Sequence, residues 1–480
     1  MNGGGELKSP PKQLLKVKEI TMLNLDFSDV VGSAHIGIQI DYTNIDNLEL
    51  DSMAKEADEA EQEIIGSMAI LSLATAKLDA AATALQAIQW NKENSQPVNP
   101  GTVAYFQAMA TGVYSGTGVE WNQNENMSAC EAFSDSMLVD GSEGFKESLG
   151  QFWEWIKKTA KKLWKNLKKF ASRVGGKLVR QKRSLEGLKD RAAKALGKNA
   201  EENKVEITSS VGAFYVDGNK VTIAEAIAVN TATGSLLSTV VDYGSAKGFM
   251  KRVKEFGLEL ERAIEAASPE KIDIFLDAIR ATTVPVMVGA KSAGFNEVRN
   301  VTNAKVLKRF AVGAAVSGVQ LLGNVSLYCA TSTAGTGSSP TEVRNHISRA
   351  YTIGETQEKT KDLPGSVSSP LVDPTAVTEF ATSAINAIEN LISYHESKAL
   401  DEIETVQERI AKSVDKFTKD AKKDDELYRG ENIAKFNTVP TVVTKYNEWV
   451  TSPVMGLESN YLMGVAGIAS ACSKCLSLYK

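Results

Sequence analysis

The sequence predicts a mainly α-helical protein in which long helices form a bundle-like arrangement, with one small β-hairpin inserted near residues 204–224. Hydrophobic residues recur at three- and four-residue spacing over long stretches, which is the period of a helix that buries one face. Aromatic residues make up only 7% of the chain, whereas Ala, Ser, Thr, Val and Gly are plentiful. This composition favours helices that pack through small side chains. A single stretch near the middle of the chain has the alternation and turn residues of a hairpin.

Five stretches carry the helical period, and the sequence predicts helices over residues 50–89, 246–266, 268–280, 296–330 and 374–423. Pro97 and Pro100 end the first of them. Within the fourth, Phe310–Ala330 has no charged residue, which raises the alternative of a transmembrane span. Its glycines and serines, together with Gln320 and Asn324, favour a buried helix instead.

The last predicted helix has an apolar seam whose spacing approximates heptads, which is typical of helices that pair as coiled coils. The seam consists of Phe380, Ala384, Ile388, Leu391, His395, Ala399, Ile403, Val406, Ile410, Ser413 and Phe417. We expect this helix to pair with another long helix, and residues 50–89 are the natural internal partner. A homo-oligomer formed through the long helices remains the alternative.

The β-hairpin is predicted from alternating residues around Asp217 and Gly218, a pair typical of a type I′ turn. Val205 and Ile207 alternate in the same way just before it, and Ile36, Ile38 and Ile40 suggest a further short strand. Composition divides the chain into an acidic N-terminal region (1–143), a basic helical segment (144–200), an α-rich domain with the hairpin (201–335), a linker (336–374) and a C-terminal helical domain (375–480).

Charge is segregated along the chain, although the net charge is only −5. Residues 1–145 contain 7 Lys/Arg and 21 Asp/Glu, whereas residues 146–200 contain 17 Lys/Arg and 4 Asp/Glu. Such blocks concern the partners of a protein more than its fold. The two blocks should attract each other at low salt, so the acidic region is predicted to mask the basic one.

The basic block centres on an amphipathic helix over Gln151–Phe170, which Gly175-Gly176 is expected to end before a second basic helix over Arg180–Lys198. One face is apolar. The opposite face holds the candidate DNA- or lipid-binding residues Lys157, Lys158, Lys161, Lys162, Lys165, Lys168, Lys169 and Arg173. Trp153, Trp155 and Trp164 are the candidate membrane-interfacial residues.

Two ligands suit such a helix, namely double-stranded DNA, bound through counterion release, and an anionic membrane surface. The alternative is that the lysines are ordinary solvated surface and that the Trp/Leu face is buried in the protein's own core. The pattern alone does not separate these readings.

The sequence contains no catalytic signature, no metal-ligand pattern and no cofactor-binding motif. Cys472 and Cys475 form a CxxC without a second Cys or His pair nearby, so we expect two small helix residues rather than a metal or redox site. His395 lies on the apolar seam, where a packed residue is expected. Four cysteines are too few to stabilise a chain of this length by disulfides, and a reducing compartment is predicted.

An acidic N-terminal region followed by a lysine/tryptophan amphipathic helix and a long helical body resembles the internal head proteins of large tailed bacteriophages. Members of that family often carry an acidic propeptide that is removed after a small residue, any residue and Glu. Gly141-Ser142-Glu143 matches this motif at the charge boundary, which makes Glu143 a candidate cleavage position; Ser184-Leu185-Glu186 matches it inside the basic block. The resemblance covers the layout of roughly the first 200 residues.

The resemblance implies a non-enzymatic virion structural protein located inside the capsid, present in the host cytoplasm during assembly, with other virion proteins as partners. The lysine-rich helix would then bind genome DNA. The alternative hypothesis is a membrane-active or pore-forming protein that docks on anionic lipid through the same helix.

Overall fold

Eleven α-helices dominate the part of the chain that the structure describes. The computed structural model describes residues 47–97, 99–114, 135–245, 248–267, 271–285, 296–297, 316–330, 337–347, 352–353, 365–421 and 431–480. The helices are α1 (Asn47–Glu93), α2 (Pro100–Tyr114), α3 (Asp135–Ala195), α4 (Ile223–Val241), α5 (Phe249–Ala266), α6 (Ile272–Ala281), α7 (Pro340–Ile347), α8 (Pro374–His395), α9 (Ala399–Ala421), α10 (Glu431–Phe436) and α11 (Thr438–Ser477). The strands are β1 (Lys204–Ile207), β2 (Tyr215–Val216), β3 (Asn219–Lys220), β4 (Asn296–Glu297), β5 (Val316–Leu321), β6 (Val325–Ala330), β7 (Thr352–Ile353) and β8 (Val367–Pro370).

Helix α3 is one continuous helix of 61 residues, so the predicted stop at Gly175-Gly176 is wrong. It packs mainly against α1. The observed bounds of α1, Asn47–Glu93, confirm the predicted helix over residues 50–89. A Cβ added at Gly176 would lie 2.6 Å from the Cβ of Met53 on α1. The glycine is therefore a point of close approach between two packed helices, where tertiary contact outweighs its low helix propensity.

The predicted helix over 374–423 is interrupted, because α8 ends at His395 and α9 begins at Ala399. The hydroxyl of Ser397 donates to the carbonyl of Tyr394 and accepts from the amide of Ala399, so it caps both helix ends. The predicted seam is confirmed as a buried face, from Phe380 at its start to Phe417 at its end. The internal partner predicted for it is wrong, since α8 packs mainly on α3, and α9 mainly on α5.

Ion pairs show that α8 and α9 together run antiparallel to α3. Lys182 of α3 pairs with Glu389 of α8 at 2.7 Å. Lys168 and Lys157, earlier in α3, pair with Glu404 and Asp415, which come later in the chain on α9. The order of the partners is therefore reversed, and the spacing between successive pairs is similar on both sides. The two shorter helices therefore act as one interrupted partner of α3.

Helix α11 lies at the centre of the described core and contacts α1, α3, α4, α5 and α7. Trp449, Tyr446 and Tyr461 are among its fully buried side chains. The apolar character predicted for residues 446–480 thus corresponds to a central helix that packs against five other helices.

The predicted hairpin is confirmed for β2 and β3, which pair antiparallel across Asp217 and Gly218. Both turn residues have positive φ, 50° and 77°, as a type I′ turn requires. Strand β1 does not extend this hairpin, because it pairs antiparallel with β8 from residues 367–370. The predicted linker over 336–374 thus contains strands β7 and β8 as well as helix α7.

The helix predicted over 296–330 is wrong in its described part, which forms strands β4, β5 and β6. Together with β7, from residues 352–353, they form an antiparallel sheet in the order β4-β5-β6-β7. Gly323, with φ 75°, lies in the short turn between β5 and β6. A charge-free run fits two buried strands as well as one helix, and here a turn divides it. Accordingly, residues 316–330 do not form a helical membrane span.

By length and composition alone, Ser52–Asn91 of α1 is apolar enough to cross a membrane, a property shared with core helices of soluble proteins. Met53, Ile64, Leu71 and Leu85 on one side of it are buried in the core. The strand predicted around Ile36–Ile40 lies outside the described residues.

Candidate nucleic-acid interface

Helix α3 separates an apolar face from a lysine face, as the sequence predicts. Phe152, Ile156, Leu163, Leu167 and Phe170 are each at most 5% exposed and pack into the core. The eight predicted basic residues lie on the other side of the helix, but the structure divides them into two groups.

Three of the eight cations are bound to carboxylates of other helices. Lys157 hydrogen-bonds to Glu154 at 2.7 Å and to Asp415 of α9, and Lys168 pairs with Glu404. Arg173 pairs with Glu56 of α1 at 3.1 Å. Burial lowers the pKa of the Lys157 ammonium, but its hydrogen bonds to the two carboxylates outweigh this and leave that pKa raised. These three cations are therefore already neutralised within the fold.

The other five cations are exposed and make no hydrogen bond or ion pair with a described residue. They are Lys158, Lys161, Lys162, Lys165 and Lys169, which we call the lysine ridge. At about 100° and 1.5 Å per residue they fall within one arc of roughly 100° and extend over about 16 Å of helix. The five ammonium groups therefore place a row of positive charges on one exposed arc of the helix.

Carboxylates border the lysine ridge on both sides. On the α1 side Glu56 pairs with Arg173, Asp58 pairs with Lys177 at 2.8 Å, and Glu63 accepts a hydrogen bond from Asn166 at 2.8 Å. On the α9 side the carboxylates are those of Glu404 and Asp415. The ridge is thus a narrow positive line, because its neighbours on each flank are neutralised.

The predicted interfacial tryptophans face protein rather than solvent. Trp153 is 1% exposed and lies 6.1 Å, between ring centroids, from Phe436, and Trp164 is 7% exposed. Trp155 is half-buried and stacks on Phe152 with centroids 5.4 Å apart. In this fold the apolar side of α3 is occupied by the protein's own core.

Glu143, the candidate cleavage position, lies in the N-terminal part of α3, where the backbone is helical.

The local pattern of α3 does not reveal the carboxylates of other helices that neutralise three of its eight cations, because those carboxylates lie far away in the chain. One feature of the sequence does match the pairing of α3 with α9. Lys157 and Lys168 are eleven residues apart, and so are Glu404 and Asp415.

Within the described residues no group of three or more metal-ligating side chains comes together. Cys472 and Cys475 are buried free thiols on α11, and burial raises the pKa of the Cys472 thiol to about 12. His395 is a packed residue, with its Nε2 3.0 Å from Oε2 of the buried Glu458. The two thiols and the imidazole of His395 are thus packed in the interior.

No curated protein and no solved structure matches the chain. Comparison with known protein families matches residues 46–474 to the phiKZ-like phage internal head proteins. The match includes α1 and α3 and extends nearly to the end of α11, which is most of the chain. The chain therefore belongs to the phiKZ-like phage internal head proteins, structural proteins located inside the phage head.

Proposed function

We propose that this internal head protein binds the packaged genome by laying the lysine ridge of α3 along the sugar-phosphate backbone of double-stranded DNA. The observation that carries the proposal is the set of five exposed ammonium groups on one arc of α3 that have no partner among the residues the structure describes. Each phosphate that such a group neutralises releases condensed counterions, which favours binding. The protein acts as a non-enzymatic structural component, produced in the host cytoplasm during assembly and in contact with other virion proteins.

Binding through the ridge is independent of base sequence. Phosphate contacts fix position but carry no sequence information. Single-stranded nucleic acid is usually held by aromatic side chains on which bases stack, and the tryptophans of α3 are buried or half-buried. The ridge therefore favours the regular backbone of duplex DNA over unpaired bases.

An anionic membrane is the less favoured ligand. A surface-lying helix inserts its apolar face into the lipid boundary. The apolar face of α3 is packed against the core through Phe152, Leu163 and Phe170. Docking on lipid would require α3 to leave that core, whereas docking on DNA uses only side chains that already face solvent.

The test measures the affinity of the full chain for duplex DNA across a salt series. Five phosphate contacts predict a slope of log affinity against log salt of about −4.5. The triple variant Lys158→Gln, Lys161→Gln, Lys165→Gln should make the slope shallower by about 2.7 and weaken binding, because it removes three contacts.

A matched control changes the net charge by the same amount. The triple variant Lys157→Gln, Lys168→Gln, Arg173→Gln removes only the cations that are paired internally, so the slope should stay near that of the unchanged protein. Equal losses in the two variants would mean that overall charge, and not the ridge, governs binding. Salt-resistant binding to anionic vesicles together with no binding to DNA would favour the membrane hypothesis.

A further inference from the structure

Large exposed apolar side chains are concentrated on α1 and α2. Of the eight such residues among the described parts of the chain, five lie on these two helices, namely Ile65 (51% exposed), Ile70 (47%), Leu73 (57%), Trp90 (57%) and Tyr105 (50%). A concentration of this kind marks a surface that another molecule covers more often than it marks ordinary solvent-facing surface.

Between residues 65 and 90, all exposed residues of α1 except Ile70 lie on one side of the helix. These residues are Ile65, Gly66, Ala69, Ser72, Leu73, Ala76, Thr83, Ala87 and Trp90, and we call them the α1 stripe. Successive turns of the stripe are three or four residues apart, except for a seven-residue step from Ala76 to Thr83, and all its members share one side of the helix over about 38 Å. None of them is charged. The hydroxyl of Thr83 already donates to the carbonyl of Asp79 at 2.9 Å, which makes it compatible with a dry contact.

Lipid and nucleic acid do not fit the α1 stripe. Both would call for a row of lysines or arginines, and no member of the stripe is a cation. Lys77, at its edge, is half-buried and already interacts with another residue of the chain. Insertion across a bilayer would require α1 to leave the core, to which it is fixed by its buried side and by ion pairs such as Lys177–Asp58 at 2.8 Å. An uncharged apolar helix surface of another protein is the chemistry that remains.

The stripe is complementary to itself. If two α1 helices pair antiparallel with residues 77 and 78 at the centre, the full length of one stripe covers the full length of the other. Trp90 of one copy then lies at the level of Ile65 and Gly66 of the other, where a Cβ added at Gly66 would have no neighbour within 4 Å. Trp90, the bulkiest side chain of the stripe, thus lies opposite Gly66, where space is available. The two-fold symmetry of the pair repeats this contact at the other end.

We propose that α1 is the self-association surface of this protein, and that two copies pair antiparallel through the α1 stripe. A strip about 38 Å long and one helix diameter wide removes on the order of 400 Å² from each copy, or about 800 Å² in total, which is less than a stable specific interface buries and is typical of a weak, transient contact. The dimer is therefore weak and forms at high protein concentration.

The first experiment measures the mass of the full chain by analytical ultracentrifugation over a concentration series. The double variant Ile65→Glu, Leu73→Glu should raise the dimer dissociation constant at least tenfold. The control Leu196→Glu, Ile274→Glu adds the same charge at positions that are 53% and 42% exposed but lie off the stripe, and should leave the dissociation constant unchanged. A chain that stays monomeric at every concentration, or equal effects of the two double variants, would overturn the proposal.

The second experiment tests the antiparallel register with cysteine pairs and a short bifunctional maleimide. Cysteines introduced by Ala76→Cys lie near the two-fold axis, with their levels about 4.5 Å apart along the helix, and should crosslink. Those introduced by Gln62→Cys lie about 46 Å apart and should not, whereas a parallel pair would bring them together. The unchanged chain under the same reagent gives the background from its own cysteines. Crosslinking at Gln62→Cys, or capture by phosphatidylglycerol vesicles that Leu73→Glu abolishes, would contradict the proposed pairing.

Discussion

Gly176 and Gly187 are both interior residues of α3, yet their substitution by alanine is expected to have opposite effects. A Cβ at Gly187 would meet nothing within 4 Å, so Gly187→Ala should stabilise the protein by about 0.5–1 kcal/mol through helix propensity. A Cβ at Gly176 would lie 2.6 Å from the Cβ of Met53, so Gly176→Ala should destabilise by about 1–3 kcal/mol. Urea unfolding of both variants measures the difference. If Gly176→Ala also stabilises, the two helices have room to separate and the close approach is not required.

Glu61 makes stability depend on pH with a defined sign. Burial raises the pKa of its carboxyl, and the hydrogen bond from Ser459 at 2.6 Å and the charge of Lys177 offset this only in part. Because the pKa is higher in the folded than in the unfolded state, ionisation costs stability. The cost is absent below the unfolded-state pKa and increases as the pH rises towards the folded-state value.

We therefore expect Glu61→Gln to be more stable than the unchanged protein at neutral pH and to lose that advantage in acid. Urea midpoints across a pH series measure the difference. Glu59→Gln, at an exposed position of the same helix, controls for the change of net charge. An advantage for Glu61→Gln that does not vary with pH would point to a cause other than ionisation.

At the scale of elements, α1 is both the acidic partner of α3 and a structural part of the core. Its acidic residues Glu56 and Asp58 pair with cations of α3, which agrees with the attraction expected between the two charge blocks. Its apolar side contributes the buried residues Met53, Ile64, Met68, Leu71, Leu78, Leu85 and Ile88. At about 1.5–3 kcal/mol for each, these seven buried side chains contribute a gross hydrophobic free energy on the order of 10–20 kcal/mol, so α1 is a major part of the core.

A cut after Glu143 should therefore leave the two pieces associated. With a specific protease site placed at this position, we expect residues 1–143 and 144–480 to coelute in size-exclusion chromatography and to separate only in denaturant. Separation in native buffer would show instead that the acidic region is a removable mask. This result bears on every binding experiment, since a chain that begins at residue 144 lacks a core helix.

For the whole molecule, periodicity predicted α1, α3, α5, α6 and the segment of α8 and α9, but it missed α2, α4 and α7 and predicted helix ends and partners poorly. The seam from Phe380 to Phe417 is buried as expected, because apolar spacing reports directly on which face of a helix is covered. The prediction that Gly175-Gly176 ends the helix was wrong, because a glycine is needed at position 176 for the close contact with Met53, more than a hundred residues earlier in the chain. Phe310–Ala330 was misread because a charge-free run does not distinguish one helix from two paired strands.

The candidate site shows the same limit. The sequence identified the amphipathic helix and all eight cations, but it did not reveal which of them are neutralised. That depends on Glu56, Glu404 and Asp415, which reach α3 only through the fold. Local pattern therefore predicted the surface, and tertiary structure decides how much of it is available to a ligand.

The position of α11 has a consequence for synthesis. This helix follows all other described helices in the chain, yet α1, α3, α4 and α5 all pack against it. A ribosome makes roughly 5–20 residues per second, so the earlier helices wait many seconds with uncovered apolar faces before α11 emerges. During that interval the nascent chain is open to chaperones and to premature association with its neighbours, because the core can close only after α11 has been made.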